Sequence, residues 1–339
     1  MSDGEPELRD GPPWVMEEMI AAERELAPQL AASAAIGLVR ARVREAVDAG
    51  AGVVVCGCGT SEHAARAICA ILREAWPSAP VIAGDSFEVA LEPPSSGLLL
   101  AISHAGETAA TLSAARGAVG LGARAVLITA CPDEAPDGIE AAATPLYDRS
   151  WCHTVGYTSP MLACALGAGL DAERAAALME QAFAERAQRQ LDGAALAECE
   201  RLLVVGSGVD EITASELSLK IEEATHLPCT PLGTEKVLHG HLPAADARTG
   251  VVLLGFDPTH AAARAARAVN VAEAVAVLGM PTVSVGAPGL ASRAEALLAG
   301  AIALQLLTLE LTLARGTNPD LIRREDPVYR RVAELGKAG

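Results

Sequence analysis

Aromatic residues make up only 3% of the 339 residues while 51% are apolar, so any core has to be aliphatic and alanine-rich. Helices packed on sheets accommodate such a core. Basic residues are also short: 26 Lys and Arg stand against 43 Asp and Glu, a net charge of −17. That balance argues against a nucleic-acid surface, which needs clustered cations. An acidic chain that binds an anion must do so locally. No C-x-x-C occurs among the eight cysteines, and most of them (Cys56, Cys58, Cys69, Cys131, Cys164) lie in apolar runs. Reduced, buried thiols are expected rather than a disulfide framework. Cys56 and Cys58 lie near His63, but no second ligand pair accompanies them, and no metal is expected.

Other absences narrow the reading further. There is no run of 18 uninterrupted apolar residues, and the opening MSDGEPELRDGPPW has neither a basic nor an apolar leader segment. A soluble, cytoplasmic chain without membrane contact is expected. A Walker A motif is missing, and Gly57-x-Gly59 lacks the third glycine of a dinucleotide fingerprint, so no cofactor is expected.

What is present is a βαβ rhythm. GVVVCG leads into TSEHAARAICAILREAW, PVIAG precedes Asp85, GLLLAIS leads into GETAATLSAARGAVGLG, and RAVLITA follows. The pattern predicts a three-layer α/β sandwich around a parallel sheet. It then repeats: RLLVVGSGVDEITASELSLKI mirrors the first unit, and TGVVLLGFDPTHAAARAARAVNVAEA mirrors the third. The length suits two domains of about 150 residues, and Asp192-Gly193 reads as a turn at their boundary.

In a parallel sheet, ligands bind beyond the carboxyl ends of strands, where helix N-termini offer free N–H groups. Three loops stand at such ends: Gly57-Cys58-Gly59-Thr60-Ser61, Ser103-His104-Ala105-Gly106-Glu107-Thr108, and the segment around His153-Thr154. Small and hydroxyl residues also serve as helix caps. Three of them on one edge favour a cradle for a phosphate or a similar anion. In ASELSLKIEEATHLP, Glu216, Lys220 and Glu223 fall at i, i+4 and i+7, on one helix face. Downstream, GTEKVLHGHLPA carries His239 and His241.

Together these residues resemble the sugar isomerase (SIS) domain family, in its double-SIS branch of isomerases and aminosugar-phosphate deaminases typified by the isomerase domain of glucosamine-6-phosphate synthase. CGTS (58 to 61) stands as in that family, SHAGET (103 to 108) resembles its S-x-S-G-E-T loop, ELSLKIEE (216 to 223) its E-x-x-x-K-x-x-E helix, and EKVLHGHL its E-L-K-H-G-P-L segment. PPWVMEEMIAAERELAPQL resembles its M-x-x-E-I-x-E-Q-P start. The resemblance implies two SIS domains, each a three-layer αβα sandwich around a parallel sheet: an arm over 1–30, domains over 31–192 and 193–316, and a tail over 317–339 that contributes to the site.

The resemblance further implies a phosphosugar aldose–ketose isomerase or aminosugar-phosphate deaminase working through an enediol or enamine. The glutaminase domain and its leading cysteine have no counterpart here, so no glutaminase activity is expected. The alternatives are a non-catalytic phosphosugar-binding regulator, or an isomerase or deglycase of another anionic sugar such as a sulfosugar. Gly59, Thr60, Ser61, Ser103, His104, Ala105, Thr108, His153 and Thr154 would hold the anion. Glu223 would move the proton between C1 and C2, with Glu216 and Lys220 positioning it. His239 would open the ring, reaching the site across the interface of a homodimer. A base tuned toward neutrality is what such proton abstraction needs, and a partly desolvated carboxylate beside a second one is suited to it. Ring opening suits histidine, which exchanges protons near neutral pH. Ala105 stands where the family has a second serine, and His153-Thr154 where it has Ser-Thr. These departures extend the candidates to a reoriented phosphate or a sulfonate. For the basic residue of the family's tail, Arg323, Arg324 and Lys337 are the candidates.

Overall fold

A computed structural model describes residues 6–337. Met1 to Glu5, the start of the expected arm, and the side chain of Lys337 lie outside the described residues.

Helices α1 (Val15–Ala22), α2 (Leu26–Ala31) and α3 (Ala34–Asp48) lead into a five-stranded parallel sheet. Its strands are β1 (Val53–Gly57), β2 (Val81–Asp85), β3 (Leu98–Ile102), β4 (Arg124–Thr129) and β5 (Glu140–Ala143), interleaved with α4 (Thr60–Ala75), α5 (Ser86–Leu91) and α6 (Ala109–Leu121). Helices α7 (Val155–Ala168), α8 (Ala172–Ala184) and α9 (Arg186–Leu196) connect to a four-stranded parallel sheet of β6 (Arg201–Gly206), β7 (Cys229–Gly233), β8 (Thr249–Gly255) and β9 (Thr282–Gly286). Within it run α10 (Asp210–Thr225), the one-turn α11 (Thr234–Lys236) and α12 (Ala261–Val277); α13 (Arg293–Arg315) and α14 (Pro327–Lys337) finish the chain.

The strands are apolar on both faces, as strands covered by helices on both sides must be. Successive side chains alternate between two cores. Val53 and Val55 of β1 and Leu202 and Val204 of β6 enter one continuous core that both sheets share with α4, α7, α10 and α13. Cys56 faces a smaller core under α6, and Leu203 and Val205 face another under α12. Each half is therefore an αβα sandwich, as expected, and the halves are fused through their inner helix layers.

The strand orders are β2-β1-β3-β4-β5 and β7-β6-β8-β9. Both reverse direction at one place, between β1 and β3 and between β6 and β8. These are the switch points where doubly wound sheets open a ligand crevice. The strands with no clear signal in the sequence are β5, β7 and β9, all at sheet edges. Edge strands need fewer β-branched residues, and Pro231 is tolerated in β7 for the same reason.

One finding differs from expectation. Asp192-Gly193 is no turn but lies inside α9. A Cβ at Gly193 would sit 2.8 Å from the Leu311 nitrogen and 2.9 Å from the Glu310 carbonyl carbon, so the glycine lets α9 close on α13. Helix α13 is long and apolar enough to cross a membrane by length and composition, with mean hydropathy 1.8, yet 94% of that stretch is buried inside the molecule. A helix apolar on all sides belongs in such a core. Gly193→Ala should force the two helices apart and cost ~1–3 kcal/mol, read as a lower urea midpoint at unchanged slope.

Candidate functional site

The crevice between β1 and β3 is built by two tight turns. After β1 the chain folds back so closely that a Cβ on Gly57 would lie 2.3 Å from the Ser61 carbonyl, and Gly59 takes φ +56. This places Thr60 and Ser61 on the first turn of α4, which has no N-cap side chain. After β3, Ser103 and Thr108 face each other across the loop with hydroxyl oxygens 3.0 Å apart, and the Thr108 N–H donates to Ser103 Oγ at 3.3 Å. Gly106 at φ +74 allows the turn; a Cβ there would meet Glu134 at 2.8 Å. The crevice thus gathers hydroxyls and two helix starts, a suitable lining for an anion.

His104 has a structural task in this loop. Its Nε2 accepts the Asp148 N–H at 2.7 Å, its carbonyl accepts from the Ala130 N–H and the Thr129 hydroxyl, and its ring packs against Tyr147 and His153. Ala105 beside it is half-buried and adds only a methyl. The third loop is closed on itself. Thr154 is fully buried, and its N–H and that of Gly156 donate to Asp148 Oδ2 at 2.6 and 3.3 Å. An internal carboxylate therefore caps the N-terminus of α7, where the sequence suggested room for a ligand.

Helix α10 delivers the charged row as its spacing predicts. Glu216 is fully buried, and the partners of its carboxylate come from both halves. Thr60 Oγ1 donates to it at 3.3 Å, His63 Nδ1 lies 2.7 Å away, and Lys220 Nζ lies 3.7 Å away. Lys220 Nζ is also 2.5 Å from Glu223 Oε2. Burial works against the Lys220 charge, but Glu223 and Glu216 outweigh it and hold the ammonium above its ordinary value. Lys220 is 1% exposed, whereas the Glu223 side chain keeps 22% of its surface. Glu223 is the member of the row that a ligand can reach. Cys152 Sγ lies 3.8 Å from the Lys220 carbonyl, and burial pushes this thiol well above its ordinary value, so it is no nucleophile.

Glu223 lines an open cavity of about 440 Å³ together with His226, Ile322, Arg323 and Tyr329. The tail therefore covers the exposed end of the row. Ile322 and Arg323 both take left-handed backbone, φ 42 and 64, a strain that persists only where surrounding packing imposes it. Arg324 lies over the Trp151 ring at 4.5 Å. His239 stands elsewhere: its side chain is 70% exposed and pairs with Glu235 at 3.1 Å. Among the described residues no group of three or more His, Cys, Asp and Glu could hold a metal ion.

Sequence reasoning missed Asp148 and the bond of His63 to Glu216, while Arg323, one of the three tail candidates, is the one that lines the cavity with Glu223. For His63 a signal existed, since Thr60 and His63 are i and i+3 on α4 and both reach Glu216. Asp148 sits in an irregular segment whose spacing carries no such information.

The architecture is that of a doubly wound α/β chain with a polar crevice where strand order reverses. Solved structures with this fold include the C-terminal domain of glucosamine-fructose-6-phosphate aminotransferase from Francisella tularensis, at 18% identity over 93% of this chain and 99% of that one, TM-score 0.75. Glucosamine-6-phosphate deaminase from Thermotoga maritima matches at 17% over 91% and 97%, TM-score 0.75. Tagatose-6-phosphate ketose/aldose isomerase from Escherichia coli matches at 16% over 91% and 95%, TM-score 0.77. No family model and no curated protein matches the sequence.

Lys220→Met removes the ammonium from between two carboxylates and leaves Glu216 buried with its charge uncompensated on that side. A loss of ~3–5 kcal/mol in chemical denaturation is expected. Glu223→Gln keeps an acceptor beside the ammonium and leaves Glu216 as its counter-charge, so it should cost less than Lys220→Met in the same measurement.

Proposed function

We propose that the protein is a double-SIS enzyme of phosphosugar metabolism, an aldose–ketose isomerase or aminosugar-phosphate deaminase. The observation that carries this reading is the pairing of Lys220 with Glu223 at the reachable end of α10, joined through Glu216 to the first turn of α4. The similar structures, a phosphosugar isomerase and an aminosugar-phosphate deaminase among them, support it.

In this reading the anion rests against Ser61, Ser103 and Thr108, and the open-chain sugar extends toward α10. Glu223 takes the proton from C2 and returns it to C1. For an aldose phosphate the intermediate is an enediol and the product a ketose phosphate. With an amino group on C2 the intermediate is an enolamine, protonation at C1 gives a ketimine, and water adds to C2 as ammonia leaves. Lys220, fixed beside Glu223, keeps that carboxylate in place and adds positive charge where the enediolate forms, the kind of preorganised electrostatics that lowers such barriers. His239 would complete the site from a second subunit, which makes the active form a homodimer.

A second reading, a phosphosugar-binding regulator without turnover, is favoured by the exposure of His239 away from the row. One experiment separates the two. A thermal-shift screen of sugar phosphates, aminosugar phosphates and sulfosugars should give a hit, since a ligand at 100 times its dissociation constant adds about 2.7 kcal/mol. The hit is then assayed for ketose or ammonia formation. Glu223→Gln is expected to keep binding and lose ~10²–10⁴ in turnover. Binding without turnover in either form establishes the regulator, and a panel with no hit sinks both.

A further inference from the structure

The second sheet has its own switch point, between β6 and β8, and the proposed function leaves it unused. Strand register lays the two crevices on each other. Val55 pairs with Leu100 in the first sheet and Val204 with Val252 in the second, and all four face the shared core. Five residues beyond Val55 and Val204 stand Thr60 and Val209, at the starts of α4 and α10. Five residues beyond Leu100 and Val252 stand Ala105 and Asp257, and α6 and α12 each begin four residues later, so no insertion separates the copies.

Where the first crevice has the methyl of Ala105, the second has a carboxylate with no exposed surface. Asp257 Oδ2 accepts the Val209 N–H at 2.9 Å and lies 3.5 Å from Arg264 Nη2. Oδ1 accepts the N–H and hydroxyl of Thr259 at 2.8 and 2.6 Å. Arg264 also donates to Ser207 Oγ at 2.5 Å and to the Thr259 carbonyl at 2.6 Å. Burial pushes Asp257 up, but the hydrogen bonds from Thr259 and Val209 and the nearby Arg264 outweigh it, and the group is held below its ordinary value. Position 112, which matches Arg264, is a leucine, so the cation is present only where the carboxylate is. The glycines report the same contrast. A Cβ on Gly208 would fall 2.1 Å from Asp257 Oδ2 and 2.6 Å from Arg264 Nη2, whereas a Cβ on the matching Gly59 meets nothing within 4 Å.

We infer that the second half keeps the anion cradle of the first with its anion built in: the Asp257 carboxylate, paired with Arg264, fills the second switch point. External anions are then confined to the first crevice. Resting on the proposed function, a further consequence is that Asp257 marks where the sugar's anion sits, over Ala105 and against the Thr60 N–H.

The test is chemical rescue with formate, which matches the missing carboxylate in size and charge. Asp257→Ala should unfold at a lower temperature than the wild type. Sodium formate should restore about half or more of the loss relative to equal sodium chloride, with little effect on the wild type. Adding Arg264→Met should abolish that difference. Equal responses of wild type and Asp257→Ala overturn the inference, and so does a formate effect that survives Arg264→Met. If Asp257→Ala does not fold in chloride, the soluble yield after refolding is compared instead: a higher yield in formate supports the built-in anion, and equal yields overturn it. Failure of the proposed function is recognised separately, as a wild type that no phosphosugar stabilises while the formate difference persists.

Discussion

The buried Glu216 carboxylate holds the candidate site together. It sits on α10 of the second half, and two of its partners, Thr60 and His63, come from α4 of the first. A charge this deep is tolerated only when its hydrogen bonds and counter-charges are complete. Completing them requires the first turn of α4, beside the crevice of the first sheet, to meet the middle of α10. The relation of the anion cradle to the Lys220–Glu223 pair is thus fixed by one carboxylate, and Arg66, which donates to Ser215 at 3.3 Å, adds a second tie between the same helices.

A consequence is that the two halves have divided their work. Each has a switch-point crevice of the same build, yet among the described residues only the second holds a buried carboxylate there, Asp257 facing Val209. In the second the crevice is filled with an Asp–Arg pair, and the helix rising from it supplies the charged row instead. The α7 start is filled in the same way by Asp148. Internal carboxylates close the starts of α7 and α10, and in the proposed reading the hydroxyl-lined crevice between β1 and β3 is the place for an outside anion.

Much of this was legible from spacing. Short uninterrupted apolar runs mark β1, β3, β4, β6 and β8, because both faces of a central strand must be apolar. The i, i+4, i+7 row was legible because helix geometry is nearly invariant. What stayed hidden depends on partners far along the chain: His63 gains its meaning from Glu216, and Thr154 loses its hydroxyl and N–H to Asp148. The internal repeat was visible but its register was not. Written one above the other, SGLLLAI and TGVVLLG align Gly97 with Gly250. Strand pairing sets Leu100 against Val252 instead, a shift of one residue that exchanges the faces of the strand. Only with that shift does Asp257 fall on Ala105.

Helix α13 packs against α4 and α7 of the first half and against α9 and α10, and it is buried along nearly its whole length. The first sheet is complete at Ala143, whereas α13 starts at Arg293, about 150 residues later. At synthesis rates of ~5–20 residues per second, roughly 8 to 30 s separate the two on the ribosome. During that interval the faces of α4 and α7 that pack on α13 have no α13 to cover them. The fused core thus closes only when the last long helix emerges, and until then the growing chain carries apolar surface that the finished molecule buries.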